Sequence, residues 1–485
     1  MLPAPDIMDH DAALAFLFGR IDYERADKLP DQLRGLKLDR MRELASRLGD
    51  PHEQFPVVHV AGTKGKGSTS TMIADVLTAA GYRTGLYISP HVTCVEERLQ
   101  IDGRLCGREE FVELIRQIQP TVDAMDRDCQ SRGETGRGPT YFEITTATAL
   151  LHFAHRQVDV AVLEVGLGGR LDSTNVCHPQ VAVITSISFD HMRQLGNTLA
   201  AIAGEKAGII KPGVPVVTGV TQAEPLGVIQ QVAARQGCAC YVAGTHFHHR
   251  YGGSHLPLWG GAASMAWPHG WSEFDYWEEI AGARTEMAGL RLGLIGRHQA
   301  ANGAVALAAL GRLRQLGWRV DEAAIRDGLA RVDMPARTEV VRQRPTVIID
   351  AAHNVASVRA LIEVIRETCP RDKTRRRILV FAASQDKDVA SMLGPLLAEF
   401  DVVILTRFLN NPRAALAENL RRTAAQLLAG GTAPSCQLLT RGDSASAWEL
   451  ARSLATPDDL ICVAGSFFLA SELRSLIQRK QSTNW

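Results

Sequence analysis

The hydrophobic pattern of this chain alternates between short, almost fully apolar runs and longer segments with the period of a helix. In the first half the apolar runs lie at residues 57–61, 158–163, 181–187 and 215–219, with another short strand predicted at residues 84–91. Apolar runs of this length without polar alternation are typical of parallel strands that are buried on both faces. The pattern therefore predicts an α/β fold with a mainly parallel sheet.

A second pattern of the same kind begins after Met334-Pro335, and its predicted strands lie at residues 346–350, 377–382, 401–406 and 460–464. Because 485 residues are too many for one ordinary core, we expect two α/β domains. We place them at residues 1–334 and, for the smaller C-terminal domain, at 335–485. Residues 245–285 show neither a helix period nor a strand period, so we interpret them as an irregular extension of the first domain.

The first apolar run leads directly into a glycine-rich loop, Gly62-Thr63-Lys64-Gly65-Lys66-Gly67-Ser68. The glycines let the backbone fold around an anion, and we expect the N–H groups of residues 63–68 to point at a triphosphate. We also expect Lys66 to reach the β and γ phosphates at the positive end of the following helix. The alternative is a glycine-rich turn that binds nothing. The coincidence of strand, glycines, lysine, hydroxyls and helix favours the phosphate site.

Three polar residues follow the ends of predicted strands: Ser89, Glu164 and His191. Taken singly, Ser89 is a turn residue, Glu164 a solvated acid and His191 a structural histidine. Because the carboxyl ends of parallel strands meet at one edge of a sheet, we expect the three side chains to lie together. Together they favour a small metal site, and magnesium is the ion that fits beside a triphosphate.

A lysine, Lys206, lies in the small and apolar segment Ala203-Gly204-Glu205-Lys206-Ala207-Gly208-Ile209, which we expect beside the phosphate loop. An ammonium group that is removed from water must be paired, deprotonated or chemically modified. The residues by themselves leave these three alternatives open.

Composition narrows the range of partners. Lys plus Arg (53) equals Asp plus Glu (53), which gives no electrostatic footprint for a nucleic acid or an anionic membrane surface. The nine cysteines include no CxxC pair, and we interpret them as free thiols in a reducing compartment. No apolar run has membrane-spanning length, and the acidic N-terminus is unlike a signal peptide. We expect a cytoplasmic, monomeric protein whose partners are small molecules.

The series of motifs resembles the folylpolyglutamate synthases and dihydrofolate synthases of the Mur ligase superfamily. The resemblance runs over nearly the whole chain in order and spacing, at residues 62–68, 89–91, 164–175, 190–191, 205–209 and 350–354. The most specific part is the run Glu-Val-Gly-x-Gly-Gly-x-x-Asp-x-Thr-Asn from Glu164 to Asn175. It implies a P-loop Mur-ligase-type ATP-binding domain and a smaller Rossmann-like C-terminal domain.

The resemblance also implies an ATP-dependent amide ligase. Such an enzyme phosphorylates the carboxyl group of dihydropteroate, or a γ-carboxyl group of a folate, and the amino group of L-glutamate then attacks the acyl phosphate. The cofactors implied are ATP and two magnesium ions. Lys206 matches a lysine that the family carries as a carbamate, which is one of the three alternatives above.

Site roles are carried over position by position. The catalytic residues implied are Lys66, Glu164, His191, Lys206 and His353. The nucleotide contacts implied are Gly62, Thr63, Lys64, Gly65, Lys66, Gly67 and Ser68, with Asn302, Arg337 and Asp350. The magnesium ligands implied are Ser89, Glu164, His191 and, as a carbamate, Lys206. The pterin-binding segments implied are Thr140, Tyr141, Phe142 and Glu143, with Leu171, Asp172 and Ser173.

Some positions depart from the family's usual pattern. Lys64 replaces an asparagine, Met334 and Ala336 replace a tryptophan and a glycine, and Ala351 replaces a glycine. None of these changes removes an expected ligand. Two alternative functions stay open at this point: another Mur-type ligase with a different acceptor, and a nucleotide-switched regulatory ATPase. The resemblance also leaves open whether the acceptor is dihydropteroate, a folate or both.

Overall fold

The computed structural model describes residues 9–22, 38–133, 138–256, 270–280, 282–372, 375–431 and 436–480. The described residues form two compact units. The first unit takes its residues from Met1–His249, Tyr276–Met287 and Ala301–Leu329, and the second from Arg250–Asp275, Ala288–Ala300 and Ala330–Trp485. The domain boundary that we placed between residues 334 and 335 stays a prediction.

The first unit is built on an eight-stranded sheet. Its strands are β1 (Val57–Ala61), β2 (Thr84–Tyr87), β3 (Leu99–Ile101), β4 (Arg104–Leu105), β5 (Val160–Glu164), β6 (Val181–Ile184), β7 (Val216–Thr218) and β8 (Cys240–Val242). They are ordered β4-β3-β2-β5-β1-β6-β7-β8. All neighbouring pairs from β2 to β8 are parallel, whereas β3 and β4 are antiparallel edge strands.

The three central strands are apolar because helices and loops cover them, and every residue of β1, β5 and β6 is buried. Their registers also align their carboxyl ends, since Val60 of β1 is opposite Glu164 of β5 and Ala61 is opposite Ile184 of β6. The loops that follow these strands therefore start at one edge of the sheet.

Among the described residues up to 331, the α-helices are α1 (His10–Phe18), α2 (Leu38–Arg47), α3 (Lys66–Ala79), α4 (Arg108–Ser131), α5 (Tyr141–His155), α6 (Met192–Leu195), α7 (Leu199–Ala207), α8 (Ala223–Arg235), α9 (Arg297–Gln315) and α10 (Glu322–Arg331). One apolar core packs α4 and α5 against β2 and β5, through residues such as Phe111, Ile144 and Phe153. Another packs α7 and α8 against β6 and β7.

Residues 245–285 correct one expectation, because they are regular where the structure describes them. Strands β9 (Phe247–His255), β10 (Trp271–Ile280) and β11 (Ala283–Leu292) form a three-stranded sheet in the order β11-β10-β9. In β10 the buried positions alternate as Ser272, Phe274 and Tyr276. The two-residue period of β10 was not recognised in the sequence, because a serine lies on the inner face and tryptophans lie at positions 271 and 277. Residues 257–269 lie outside the described residues.

The second unit contains a six-stranded sheet. Its strands are β12 (Glu339–Gln343), β13 (Thr346–Ile349), β14 (Arg377–Phe381), β15 (Val402–Leu405), β16 (Gln437–Thr440) and β17 (Leu460–Ala464), in the order β12-β13-β17-β14-β15-β16. Every neighbouring pair is parallel except β12 with β13. Its helices are α11 (Val355–Thr368), α12 (Val389–Glu399), α13 (Ala417–Ala429), α14 (Ser444–Leu454) and α15 (Phe467–Lys480).

The α/β architecture with a second Rossmann-like sheet is thereby confirmed. The four strands predicted for this sheet correspond to β13, β14, β15 and β17. Strands β12 and β16 lie at its two edges and were not predicted. Within the described part of the chain, no helix is both long enough and apolar enough to cross a membrane.

Candidate active site

The glycine-rich loop connects β1 to α3, and two of its glycines are required by close packing. Gly62 and Gly65 have φ angles of +152° and +82°. A Cβ atom on Gly62 would lie 1.9 Å from Thr185 Oγ1, and one on Gly65 would lie 2.3 Å from Asn302 Oδ1. The backbone can therefore turn here only without side chains. The same packing places Asn302 of α9 against the loop.

The N–H groups of this loop correct the expectation that all of them point at a phosphate. The Thr63 N–H donates to the carbonyl oxygen of Ser186 at 2.7 Å, and the Lys64 N–H donates to Ser186 Oγ at 3.0 Å. Helix α3 starts at Lys66, and its N-cap Gly65 supplies no side-chain hydrogen bond. The first-turn N–H groups of a helix lack intrahelical acceptors. The N–H groups that could bind an anion therefore lie at the start of α3, and those of Thr63 and Lys64 are already used.

Lys66 and Glu164 face each other across the ends of β1 and β5. The Lys66 Nζ atom lies 3.9 Å from Glu164 Oε1, which is an ionic contact too long for a hydrogen bond. The other carboxylate oxygen of Glu164 accepts the Ser89 N–H at 2.9 Å. Glu164 is only 3% exposed, so this charge is held at the buried end of its strand. The structure thus brings together Lys66, Glu164 and Ser89, three of the predicted site residues.

Lys206, near the end of α7, is buried with 4% of its surface exposed. Its Nζ donates a hydrogen bond to the carbonyl oxygen of Gly62 at 2.8 Å. Burial, together with the nearby Lys66 cation, lowers the pKa of Lys206 to about 7, although the Asp190 carboxylate acts in the opposite direction. The Lys206 amine is therefore hydrogen-bonded to the glycine-rich loop and is close to half deprotonated near neutral pH.

The loop after β5 positions Lys206, because it packs tightly against the end of α7. A Cβ atom on Gly169 would lie 2.8 Å from the carbonyl oxygen of Glu205, and the Arg170 N–H donates to that same oxygen at 2.8 Å. The Asn175 side-chain amide joins both segments, since it donates to the carbonyl oxygens of Arg170 and Gly208. The glycine-rich run thus fixes the helix that carries Lys206.

The segment after β6 carries His191, whose side chain is about half exposed. Asp190 accepts a hydrogen bond from Lys64 Nζ at 2.7 Å through one oxygen and from the His191 N–H at 3.0 Å through the other. Sequence reasoning had treated Asp190 only as part of a motif. The signal that Asp190 pairs with a cation was the unusual lysine at position 64, which needs a nearby anion.

Asp172, in the loop before Ser173, is held by a chain of hydrogen bonds. It accepts from the Leu167 N–H at 2.9 Å and from both the N–H and the hydroxyl of Thr174, at 3.0 and 2.5 Å. The Thr174 hydroxyl in turn accepts from Nε2 of His59, at 2.8 Å. Burial lowers the pKa of His59 to about 3, so its imidazole is neutral. Sequence reasoning missed His59, which lies as a lone histidine in the apolar run of β1.

The predicted substrate-binding segment at the start of α5 has a structural role in part. Thr140 and Glu143 form a capping box, and Arg40 Nε donates to the Glu143 carboxylate at 2.7 Å. Tyr141 is buried, whereas Phe142 is half-buried over Gly166, where a Cβ atom would lie 2.3 Å from its ring. The capping box thereby orients Phe142 toward the loop that follows Glu164.

Two further predicted residues of the second unit, Asp350 and His353, follow β13, whereas Arg337 precedes β12. Asp350 accepts hydrogen bonds from the N–H and hydroxyl of Thr338, at 2.8 and 3.0 Å, and from the Ala352 N–H at 2.7 Å. Burial raises the pKa of Asp350, although Arg337 opposes the shift. Nδ1 of His353 contacts the carbonyl oxygen of Ala351 at 2.9 Å. These residues therefore form one hydrogen-bonded loop at a strand end.

Comparison with known proteins defines the class to which this fold and site belong. Residues 60–310 match the Mur ligase middle domain, and residues 336–467 match the Mur ligase glutamate ligase domain. The protein is a Mur-type ligase.

Relatives at the level of whole chains narrow this class. The chain is 38% identical over 392 residues to the dihydrofolate synthase/folylpolyglutamate synthase of Bacillus subtilis, covering 79% of this chain and 83% of that protein. It is 33% identical over 451 residues to the Escherichia coli enzyme of the same name, covering 92% of each. The chain belongs to the dihydrofolate synthase/folylpolyglutamate synthase family.

Solved structures agree with this assignment. The Mycobacterium tuberculosis folylpolyglutamate synthase complexed with ADP superposes with a TM-score of 0.81 at 32% identity, over 97% of this chain and 99% of that one. The E. coli FolC structure in complex with DHPP and ADP gives a TM-score of 0.78 at 30% identity, over 98% of this chain and all of that one.

Proposed function

We propose that this ligase uses ATP to join L-glutamate to dihydropteroate, to the γ-carboxyl group of a folate, or to both, through an acyl phosphate. The observation that carries the proposal is the cluster of Lys66, Glu164 and Lys206 at the start of α3. Its two lysines and its helix terminus suit a polyphosphate. The ADP complexes of the relatives support the same nucleotide for this chain.

The residues present fit a magnesium ion at this cluster. Magnesium prefers oxygen ligands, and the Glu164 carboxylate lies beside Ser89, whose N–H it accepts. We assign Ser89, Glu164 and His191 to hold the ion, which when bound would neutralise charge on the phosphoryl oxygens. Lys66 adds a fixed positive charge on the same side, and the first turn of α3 offers N–H donors for the phosphate.

Lys206 is assigned as the site of a carbamate. A neutral amine attacks carbon dioxide and loses one proton, so that an ammonium cation is replaced by a carbamate anion. The lowered pKa of Lys206, about 7, supplies the neutral amine at physiological pH. The resulting anion would be able to support a second magnesium ion, as the resemblance implied.

For the acceptor we assign Asp172 and its neighbours Leu171 and Ser173, together with the residues from Thr140 to Phe142. Asp172 is a carboxylate whose hydrogen bonds fix its orientation, which suits recognition of the amino and N–H groups of a pterin. Glu143 is assigned a supporting role because its carboxylate caps α5 and pairs with Arg40. The roles that the resemblance implied for Asn302, Arg337, Asp350 and His353 stay predictions.

The test is ATP-dependent incorporation of labelled L-glutamate with three acceptors in parallel: dihydropteroate, a reduced folate monoglutamate and a UDP-sugar precursor. Product from dihydropteroate alone indicates a dihydrofolate synthase, product from the folate alone indicates a tail-extending synthase, and product from both indicates a bifunctional enzyme. Product only from the UDP-sugar, or ATP consumption without any product, would contradict the proposal. A cytoplasmic location and a monomeric state stay predictions from the sequence.

A further inference from the structure

A second cluster of possible metal ligands lies apart from the nucleotide site. It consists of Cys106 in the turn between β4 and α4, Glu110 in the first turn of α4, and His152 in the last turn of α5. His152 is ten residues beyond Phe142 on the same helix, which corresponds to about 15 Å along the helix axis. The cluster is therefore not an extension of the proposed acceptor site.

The donor atoms of this cluster converge. The sulfur of Cys106, one carboxylate oxygen of Glu110 and one ring nitrogen of His152 all lie within 4.8 Å of one another. Cys106 and His152 are buried, with 5% and 3% exposure, whereas Glu110 is partly exposed and gives access from solvent. Three different donor types thus meet at the end of a buried helix pair.

The ring of His152 gives a second, independent indication of a bound ion. Its Nδ1 atom is buried and has no hydrogen-bond partner of acceptable geometry, although it lies 3.2 Å from Glu110 Oε1. Buried polar atoms are almost always satisfied by protein, water or an ion. An ion held jointly with the neighbouring sulfur and carboxylate would satisfy this nitrogen.

An ion pair between Glu110 and Arg156 is a simpler explanation of this cluster than a metal ion. The Nε and Nη2 atoms of Arg156 donate to the two oxygens of Glu110 at 2.6 and 2.9 Å, so the carboxylate already has a partner. An ion pair of this kind accounts for Glu110 but not for the unsatisfied Nδ1, and the Cys106 thiol donates only a long hydrogen bond, to the Gly107 carbonyl oxygen at 3.6 Å. A carboxylate oxygen has lone pairs to spare after one such bond. Arg156 can therefore orient the carboxylate as an outer partner of a metal site.

We propose that Cys106, Glu110 and His152 bind one divalent transition-metal ion of the zinc class. Thiolate, imidazole and carboxylate are the ligand types of zinc sites, and zinc with three protein ligands takes a water molecule as its fourth. On binding, the Cys106 thiol loses its proton to solvent and the sulfur bonds to the metal without any change of oxidation state. The ion would fasten α4 to α5 and is independent of the ligase reaction.

The test uses cobalt(II) as a spectroscopic substitute on the full chain after treatment with a chelator. We expect one equivalent of cobalt to produce a thiolate-to-cobalt charge-transfer band that zinc(II) abolishes by competition. The band should disappear in Cys106→Ser, and cobalt affinity should fall at least tenfold in His152→Gln. Cys129→Ser removes another buried thiol of α4 and should leave the band unchanged.

Two results would overturn the proposal. One is the absence of a charge-transfer band in the unsubstituted protein, which decides the question even if a variant fails to fold. The other is a band that persists in folded Cys106→Ser, because the thiolate would then belong to another cysteine. Glutamate ligation is measured on the same samples, and its presence or absence does not affect either conclusion.

Discussion

Glu164 and Asp350 are both carboxylates at the carboxyl ends of buried parallel strands, yet their surroundings differ. Glu164 accepts one backbone N–H, from Ser89, and faces the Lys66 ammonium at 3.9 Å. Asp350 accepts three hydrogen bonds, two from Thr338 and one from Ala352. The first carboxylate lies within a cluster of charges, and the second is surrounded by donors of its own loop.

An acidic residue at the end of a strand can therefore have either of two roles, and the sequence alone does not distinguish them. Around Glu164 the Lys66 ammonium lies at 3.9 Å without a hydrogen bond, an arrangement that suits the charged ligand we propose. Around Asp350 the hydrogen bonds give the loop its conformation before any ligand arrives. We therefore expect substitutions in the first region to reduce activity and substitutions in the second to reduce stability as well.

The largest effect is expected for Lys66→Ala. Removing a cation that faces developing phosphoryl charge should lower kcat about 10²–10³-fold. The melting temperature should stay close to that of the unsubstituted protein, because the ion pair of Lys66 with Glu164 is 3.9 Å long and is no hydrogen bond. Glutamate ligation and thermal unfolding measured on the same preparation check this. Lys387→Ala, in the second unit, serves as the control, and full activity in folded Lys66→Ala would remove the lysine from the phosphate site.

Asp350→Ala should have the largest effect on stability. It leaves the N–H groups of Thr338 and Ala352 without their acceptor, and each buried unsatisfied group costs about 1–3 kcal/mol. Chemical denaturation with a probe in the second unit measures the loss. Asp458→Ala removes an exposed carboxylate paired with Arg344 and should change the unfolding free energy by less than about 0.5 kcal/mol. If both variants lose the same free energy of unfolding, Asp350 contributes no more to stability than an exposed acid does, and the prediction is wrong.

The buried Lys206 of the first unit predicts that stability depends on pH. Its pKa falls from 10.5 to about 7 on folding, so between these values the unfolded chain binds more protons than the folded one. The free energy of unfolding should therefore rise with pH across this window, and the cost of burying the ammonium is greatest below pH 7. Melting temperatures from pH 7 to 10 test this in carbon-dioxide-free buffer. In Lys206→Met the rise should be smaller, and an identical rise would contradict the assignment.

The smallest effect is expected at the ion pair between Lys64 and Asp190, which is partly exposed to solvent. Such pairs contribute about 0–1 kcal/mol, so Lys64→Asn should shift the melting temperature by only a few degrees. Lys64→Arg keeps the charge and should shift it less. A large loss of stability in Lys64→Asn would mean that the ion pair, and not the backbone hydrogen bonds beside it, holds the loop.

The sequence predicts most of the strands, because buried parallel strands are short apolar runs that end in polar residues. It predicts hydrogen-bond partners poorly. Nothing in the loop itself indicates that Ser186 accepts the N–H groups of Thr63 and Lys64, since these residues are more than 120 positions apart. The strands near residue 275 were missed because Ser272 lies on their inner face and tryptophans lie on the outer one.

The bonds that fasten Thr63 and Lys64 to the segment after β6 also have a thermodynamic consequence. Besides the two N–H groups, the Thr185 and Ser186 hydroxyls donate to the Lys64 carbonyl oxygen, at 2.6 and 3.0 Å. The backbone on one side of Gly65 has thus lost most of its conformational freedom during folding. A ligand that binds at the start of α3 needs to order fewer residues, and more of its interaction energy is retained as affinity.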